Sequence, residues 1–327
     1  MKTDISHSFE DIVPINLPEI TITLGMKNIL LPTDFSDNAW NATKYAIELF
    51  SGDECVFHLL NTYTPAIANS RFMAASFSSG QLEDGVHSNS ERGLREVLEK
   101  IKATYKYPLH SFKTISSFSL LVDEIKDIVE REAIDLIVTG TKGATGLDEV
   151  FMGSNTVRII KAVKNCPVLA IPQNFEYKTP SEIAFATDFN RFYSQSELQP
   201  IIDLANTFNA TIRIVHVQYE IKALTEIQQF NLNMLRKYLS KVEHYVHTVS
   251  ELNSVSKTLE VFAEELDIHL LAMLNFHHSY MERMTREPVV KRLAFHTRIP
   301  LLVIPELGMS KHSGSRIEEE NTTMNHD

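Results

Sequence analysis

Short apolar runs alternate along the chain with longer segments whose apolar positions recur at helical spacing, three or four residues apart. In the first half the runs predict strands at Lys27–Leu31, Cys55–Leu60, His110–Ile115, Leu136–Thr139 and Val168–Ile171. The periodic segments between them predict helices over Asn38–Phe50, Ser90–Tyr105, Leu120–Glu130 and Asn155–Val163. Runs such as "LIVT" and "VLAI" are apolar at every position, which suits strands covered on both faces. Strand and helix in strict alternation predict a parallel sheet layered with helices. The second half repeats the scheme, with strands expected near Ile183–Ala186, Thr211–Val217, Tyr245–Val249, Leu270–Leu274 and Leu301–Ile304.

The two halves also share words. "ILLPTDFSDNA" at Ile29–Ala39 returns as "IAFATDFNRFY" at Ile183–Tyr193. "FHLLN" at Phe57–Asn61 is answered by "VHVQ" at Val215–Gln218, and "CPVLAIP" at Cys166–Pro172 by "IPLLVIP" at Ile299–Pro305. Three matches in one order mark an internal duplication. The expected organisation is therefore an extension over 1–25, one domain over 26–174, a second over 180–306, and a polar tail over 307–327. Ile20–Leu24 in the extension alternates as an edge strand would. Thr64–Ser88, rich in Ser, Ala and Gly, reads as an insertion after the second strand rather than a lid. The tail, with its acidic run Glu318–Glu320, has the composition of a disordered segment.

Composition narrows the partners. At 327 residues the chain exceeds one ordinary core, and 43% hydrophobic with 22% charged residues is ordinary for a soluble globular protein. A net charge of -11 opposes a general nucleic-acid surface and an anionic membrane surface. No apolar run is long enough to span a bilayer, and the acidic, proline-containing N-terminus lacks the apolar core of a signal peptide. A cytoplasmic location is expected. Cys55 and Cys166 sit in apolar runs without metal-ligand spacing and are expected as buried reduced thiols.

The candidate chemistry lies in "GTKGATGLDEVFMGSNTVRII" at Gly140–Ile160. Only 11 glycines occur in the chain, and this loop holds Gly140, Gly143 and Gly153 among them. Gly140 follows the fourth strand and Ser154 stands where the next helix begins. Ligands of open parallel sheets sit beyond the carboxyl ends of strands, and a helix N-terminus offers free N–H groups to an anion. Gly140 and Gly143 permit a positive φ or a close ligand approach. Ser154 reads equally as a plain N-cap, and Lys142 either meets an anion or is solvated. The pattern is not a dinucleotide fingerprint, which needs its glycines at the first strand–helix turn, here "PTDFSDNA". It is not a P-loop either, since Gly140 does not begin Gly-x4-Gly-Lys-Ser/Thr. Spacing alone leaves phosphate binding and a structural turn evenly matched.

Gly140-Thr141-Lys142-Gly143, nine residues, then Gly153-Ser154 reproduces the Gly-x2-Gly-x9-Gly-Ser/Thr pattern of ATP-binding universal stress proteins. "ILLPTDFS", "FHLLN" and "CPVLAIP" are similar to that family's first, second and last strands. The resemblance covers both copies, from about Met26 to Pro305. It implies an α/β fold of two tandem, five-stranded, Rossmann-like parallel-sheet domains packed as a pseudo-dimer through their last strands. It also implies pairing of whole chains and a role in stress survival. The implied cofactor is ATP, with or without magnesium. Pro32, Thr33 and Asp34 would border the adenosine, and Leu59 would offer its backbone and an apolar face to the adenine. Thr139, Gly140, Lys142, Gly143, Gly153, Ser154 and Asn155 would surround the phosphates. An ionised Asp34 repels phosphate, so it suits the sugar, the base or a metal ion; its other role is a helix cap.

The second copy lacks the loop. Leu274 and Asn275 stand near the place of Gly140, His277 and His278 near Gly143, and Arg286 and Glu287 near Gly153-Ser154. ATP is therefore expected in the first domain only. His277 and His278, joined by His269, raise a metal site, but no Cys or Glu spacing completes one. Arg283, Arg286, Lys291 and Arg292 make a local basic cluster, for another anion or for solvent. Three functions remain in view: an ATP-binding regulatory protein, a slow ATPase or self-phosphorylating enzyme with Ser154 or Thr141 as acceptor, and a nucleotide-independent interaction scaffold. No nucleophile–base pair is visible, which favours binding over catalysis.

Overall fold

The computed structural model describes residues 26–64, 79–141, 154–275 and 298–306. In the first half it contains strands β1 (Lys27–Pro32), β2 (Cys55–Tyr63), β3 (His110–Phe118), β4 (Leu136–Gly140) and β5 (Val168–Ile171). Helices α1 (Asp37–Leu49), α2 (Ser79–Thr104), α3 (Leu121–Arg131) and α4 (Ser154–Ala162) connect them. The second half carries β6 (Glu182–Ala186), α5 (Gln195–Phe208), β7 (Thr211–Gln218), α6 (Glu226–Tyr238), β8 (His244–Ser250), α7 (Val255–Glu265), β9 (Leu270–Asn275) and β10 (Leu301–Pro305).

The ten strands among the described residues form one sheet in the order β3-β2-β1-β4-β5-β10-β9-β6-β7-β8. Every pairing within a half is parallel, and the halves meet through the antiparallel pair β5–β10. Leu169 lies opposite Leu302, flanked by Val168 opposite Val303 and Ala170 opposite Leu301. The same register follows from a local twofold axis through the Leu169–Leu302 pair, which carries β5 onto β10. The pairing of last strands expected from the resemblance is thus present inside the chain.

Side chains alternate across the sheet. Ile29, Leu31, Phe57 and Leu59 join the layer formed with α1, α2, α5 and α6. Leu30, Leu60, Ile137 and Val168 join the opposite layer with α3, α4 and α7. Each layer draws buried residues from both halves, so the apolar core runs without a break across the β5–β10 seam. Cys55 and Cys166 are both free and buried, and burial pushes the Cys55 thiol up to about 12, with Asp53 adding to it. Thiols so raised are poor nucleophiles.

One expectation changes. Residues 79–88, expected within the insertion, are the start of α2. Gly80, Gly85 and several serines depress the local helix propensity and hide that start from a periodicity reading. The remainder of the insertion over 65–78, the proposed edge strand Ile20–Leu24 and the polar tail beyond Glu306 lie outside the described residues.

The connection from β5 to β6 crosses α1. Asn41 Nδ2 donates to the carbonyls of Pro172 at 3.1 Å and Phe175 at 3.0 Å. Phe175 and Tyr177 pack on Tyr45, with ring centroids 6.1 and 5.3 Å away. Pro180 is buried before the chain enters β6.

Candidate functional site

The carboxyl ends of β1, β2 and β4 open onto a cleft of about 140 Å³ in the first half. Pro32, Thr33 and Asp34 come to it from β1 and its turn, and Asn61 and Thr62 from β2. Thr139 and Gly140 come from β4, and Asn155 and Thr156 from the first turn of α4. A helix N-terminus therefore faces the carboxyl edge of the sheet, the arrangement that favours an anion.

The Thr-Asp-Phe turn shapes one wall. Thr33 N–H donates to Leu60 O at 2.8 Å, which holds the turn to β2. Thr33 Oγ1 accepts from Phe35 N–H at 3.0 Å, and Asp34 Oδ1 accepts from Ser36 N–H at 3.1 Å and Ser36 Oγ at 2.6 Å. Ser36 Oγ in turn accepts from Ala39 N–H and caps α1. Asp34 thus supports the cap at one remove. Phe35 adopts φ 65°, a left-handed conformation that costs a bulky residue about 1–2 kcal/mol. Its ring lies over Gly93 of α2, where an added Cβ would come within 2.5 Å of it.

Gly140 is a glycine for a reason the loop pattern did not suggest. Its φ is outside the left-handed region, and a Cβ there would stand 2.3 Å from Asn38 Nδ2 and 2.9 Å from the Asn38 carbonyl oxygen. The close approach at Gly140 is that of α1. Thr156 Oγ1 donates to Gly140 O at 2.7 Å and ties α4 to the same strand end.

Of the candidates read from sequence, Pro32, Thr33, Asp34, Thr139, Gly140 and Asn155 border the cleft together. Ser154 opens α4. Leu59 is fully enclosed in the core opposite Leu31 and does not border it. Lys142, Gly143 and Gly153 lie outside the described residues. Asn61 was missed as a site residue although it ends the repeated "FHLLN". Its Nδ2 donates to Thr33 O at 2.7 Å and fixes the turn. Thr62, Thr156 and Leu121 carry no signal in the sequence that separates them from ordinary strand and helix ends.

The second half repeats the turn and closes over it. Thr187 N–H donates to Val215 O at 3.0 Å, Thr187 Oγ1 accepts from Phe189 N–H at 3.2 Å, and Asp188 Oδ1 accepts from Asn190 N–H at 3.0 Å. Phe189 again has a positive φ, 57°. His216 takes the part of Asn61, its ring nitrogen Nδ1 lying 3.0 Å from Thr187 O. Here, however, Phe189 is wholly buried where Phe35 is 40% exposed. Asn231 Nδ2 and Gln228 Nε2 of α6 donate to Phe189 O and Asp188 O, and the Tyr193 hydroxyl bonds to Thr187 Oγ1. Leu136 pairs with Ile29 as Leu270 pairs with Ile183, which sets Leu274 at the place of Gly140 and Met273 at that of Thr139. With a leucine there, α5 starts at Gln195, eight residues after Thr187, whereas α1 starts four after Thr33.

Of the three histidines read from sequence, His269 lies among the described residues. It precedes β9, where its Nδ1 accepts from Ser181 N–H at 3.2 Å. His277 and His278 follow β9 in the sequence. They and the basic cluster Arg283, Arg286, Lys291 and Arg292 lie outside the described residues. Among the described residues no group of three metal-ligating side chains converges, and no helix is long and apolar enough to cross a membrane.

Burial lowers the pKa of His216 from the ordinary 6.5, against the opposing pull of the Thr187 carbonyl and Asp188. The folded chain resists a proton that the unfolded chain accepts near pH 6.5. The resulting stability is present above that pH and is lost as the pH falls toward the lower folded value. His58 and His247 are shifted in the same direction, also chiefly by burial. His216→Asn restores the Asn61 arrangement without a titrating group. Unfolding free energies from urea titrations at pH 7 and pH 5 are expected to differ less in this variant, by at most about 1.4 kcal/mol per pH unit.

Residues 25–172 match the family model described as the universal stress protein family. Through this first half the chain is a member of that family. A universal stress protein of Methanocaldococcus jannaschii is 28% identical over 145 residues, which cover 44% of this chain and 81% of the relative. One from a Synechocystis species is 25% identical over 294 residues, covering 85% of this chain and 99% of its own, so the likeness extends through both halves. The crystal structure of a universal stress protein from Archaeoglobus fulgidus aligns with a TM-score of 0.62 at 18% identity, over 85% of this chain and 96% of that one. At that identity the match concerns the fold.

Proposed function

We propose that this universal stress protein binds one adenine nucleotide, ATP with or without magnesium, in a domain spanning 26–174, and that the domain over 180–306 binds none. The observation that carries the proposal is the meeting of Gly140, at the end of β4, with Asn155 and Thr156, at the start of α4, on one cleft. The segment joining them carries the Gly-x2-Gly-x9-Gly-Ser pattern in sequence, beginning at Gly140 and ending at Ser154. At about 140 Å³ the cleft is smaller than the roughly 300 Å³ at which small-molecule sites begin. In this proposal the loop supplies the rest of the enclosure and its amides meet the phosphates.

Asp34 takes the sugar or base side, or a magnesium ion, because a carboxylate beside phosphate is repulsive without a cation between them. Asn61 and Thr62 offer polar groups to the nucleoside. Leu59 contributes core packing beneath the site. In the second half Leu274 stands at the place of Gly140, Phe189 is wholly buried and the Thr187 hydroxyl is engaged by Tyr193, differences that support a single site. Nucleotide occupancy would then regulate a cytoplasmic stress response through a protein partner.

A fluorescent ATP analogue titrated into nucleotide-free chain with magnesium tests the proposal. Saturable binding, displaced by unlabelled ATP and abolished by Gly153→Arg, is expected. Binding that Gly153→Arg leaves intact would move the site away from the loop.

A further inference from the structure

A second and larger cavity lies on the α1/α5 side of the sheet, a groove of about 320 Å³. Its walls are mostly apolar, among them Ile29, Phe50, Leu136, Leu204, Phe208 and Ile304. One end is at Lys27, where the described chain enters β1, and the other at Pro305, where β10 ends.

The twofold through Leu169 and Leu302 gives this groove a counterpart. On the other side of the axis, the chain leaving β5 at Pro172 runs along α1 to the entry of β6. Asn41 holds it by the Pro172 and Phe175 carbonyls, and Phe175 and Tyr177 cover Tyr45. The symmetry mate of that path runs along α5 between the end of β10 and the entry of β1. The groove follows this path, bounded by Pro305 and Lys27, with Pro200 and Leu204 of α5 along it.

We propose that residues 12–24 of this chain occupy the groove, covering α5 as the β5–β6 connection covers α1. Two segments adjoin the groove, and their compositions decide between them. Ile12, Val13, Ile15, Leu17, Ile20, Ile22 and Leu24 make residues 12–24 predominantly apolar, matching the walls. The chain after Glu306 is polar, and its acidic run would meet Asp53, Asp135 and Asp203, which also line the groove. Length is sufficient, because the connection on the other side needs only the nine residues from Gln173 to Ser181. Burying apolar side chains against such walls is favourable at about 25 cal/mol per Å² of apolar surface. The N-terminal segment then serves as the missing half of a symmetric pair of straps.

Leu204→Cys provides the probe, since the natural cysteines are buried. Its labelling by a maleimide is measured in the full chain, after deletion of residues 2–24, after deletion of 307–327, and in the full chain carrying Ile22→Asp and Leu24→Asp. The deletion at the N-terminus and the aspartate pair are each expected to speed labelling at least tenfold, and the tail deletion to leave it unchanged. The aspartate pair keeps the test valid if the shortened chain folds poorly. Unchanged labelling in both N-terminal variants would overturn the proposal. So would acceleration on tail deletion alone, which assigns the groove to the tail, or labelling that slows as the full chain is concentrated, which assigns it to a second copy.

Discussion

Leu301→Asp is expected to destabilise the whole chain by at least about 4 kcal/mol, and the loss should be visible from the other half of the molecule. Leu301 is completely buried on β10, opposite Ala170 of β5 and beside Leu271 of β9. Removing a buried leucine costs about 2–5 kcal/mol by lost transfer and cavity formation. An aspartate there must also be desolvated without a cation, or take up a proton. The chain's single tryptophan, Trp40, lies in α1 of the first half, under Lys100 at 4.1 Å, and reports on that half by fluorescence. Because both core layers cross the β5–β10 seam, the Trp40 transition in urea should move to lower denaturant with the variant. A Trp40 midpoint that stays put while the second half unfolds would show two independent cores.

The second large effect is expected at Gly140. In Gly140→Val the added Cβ meets Asn38 Nδ2 at 2.3 Å and the Asn38 carbonyl oxygen at 2.9 Å. The amide side chain can turn aside, but the backbone oxygen moves only if the start of α1 moves. A cost of about 2–3 kcal/mol follows, in the range of overpacked cores. Asn38→Ala in the same chain should recover only the side-chain part. The second half records a solution to the same clash: with Leu274 at this position, α5 begins four residues later in its turn than α1 does. Gly140→Val is therefore expected to loosen the first turn of α1, the Ser36 cap and the Asp34 contacts, and to weaken nucleotide binding along with stability. A urea midpoint within experimental error of the parent chain would contradict this account of Gly140.

The order of elements was legible because apolar runs as short as "VLAI" are bounded by clear breaks and are repeated in both halves. The Thr-Asp-Phe words proved to be a shared hydrogen-bond design, down to the Thr hydroxyl that accepts from the Phe amide. The start of α2 was hidden by glycine and serine, whose low helix propensity is overridden by context. Gly140 looked like a ligand contact because sequence cannot tell which neighbour comes close, and here α1 is among them. The substitution of His216 for Asn61 was equally invisible, since only the fold shows both side chains at the carbonyl of the preceding threonine. Leu59 could be assigned to a strand but not to a face, and the pleat turned its side chain into the core layer shared with α1 and α2. The groove along α5 depends on strand pairing between the halves, which no local pattern encodes.

The most direct test is a count of adenine nucleotide per chain by native mass spectrometry, on chain purified gently and then equilibrated with ATP and magnesium. The account predicts one nucleotide per chain and none in Gly153→Arg. Two per chain would contradict the closure of the second half, and none in the intact chain would leave the glycine loop as a structural turn on an interaction scaffold.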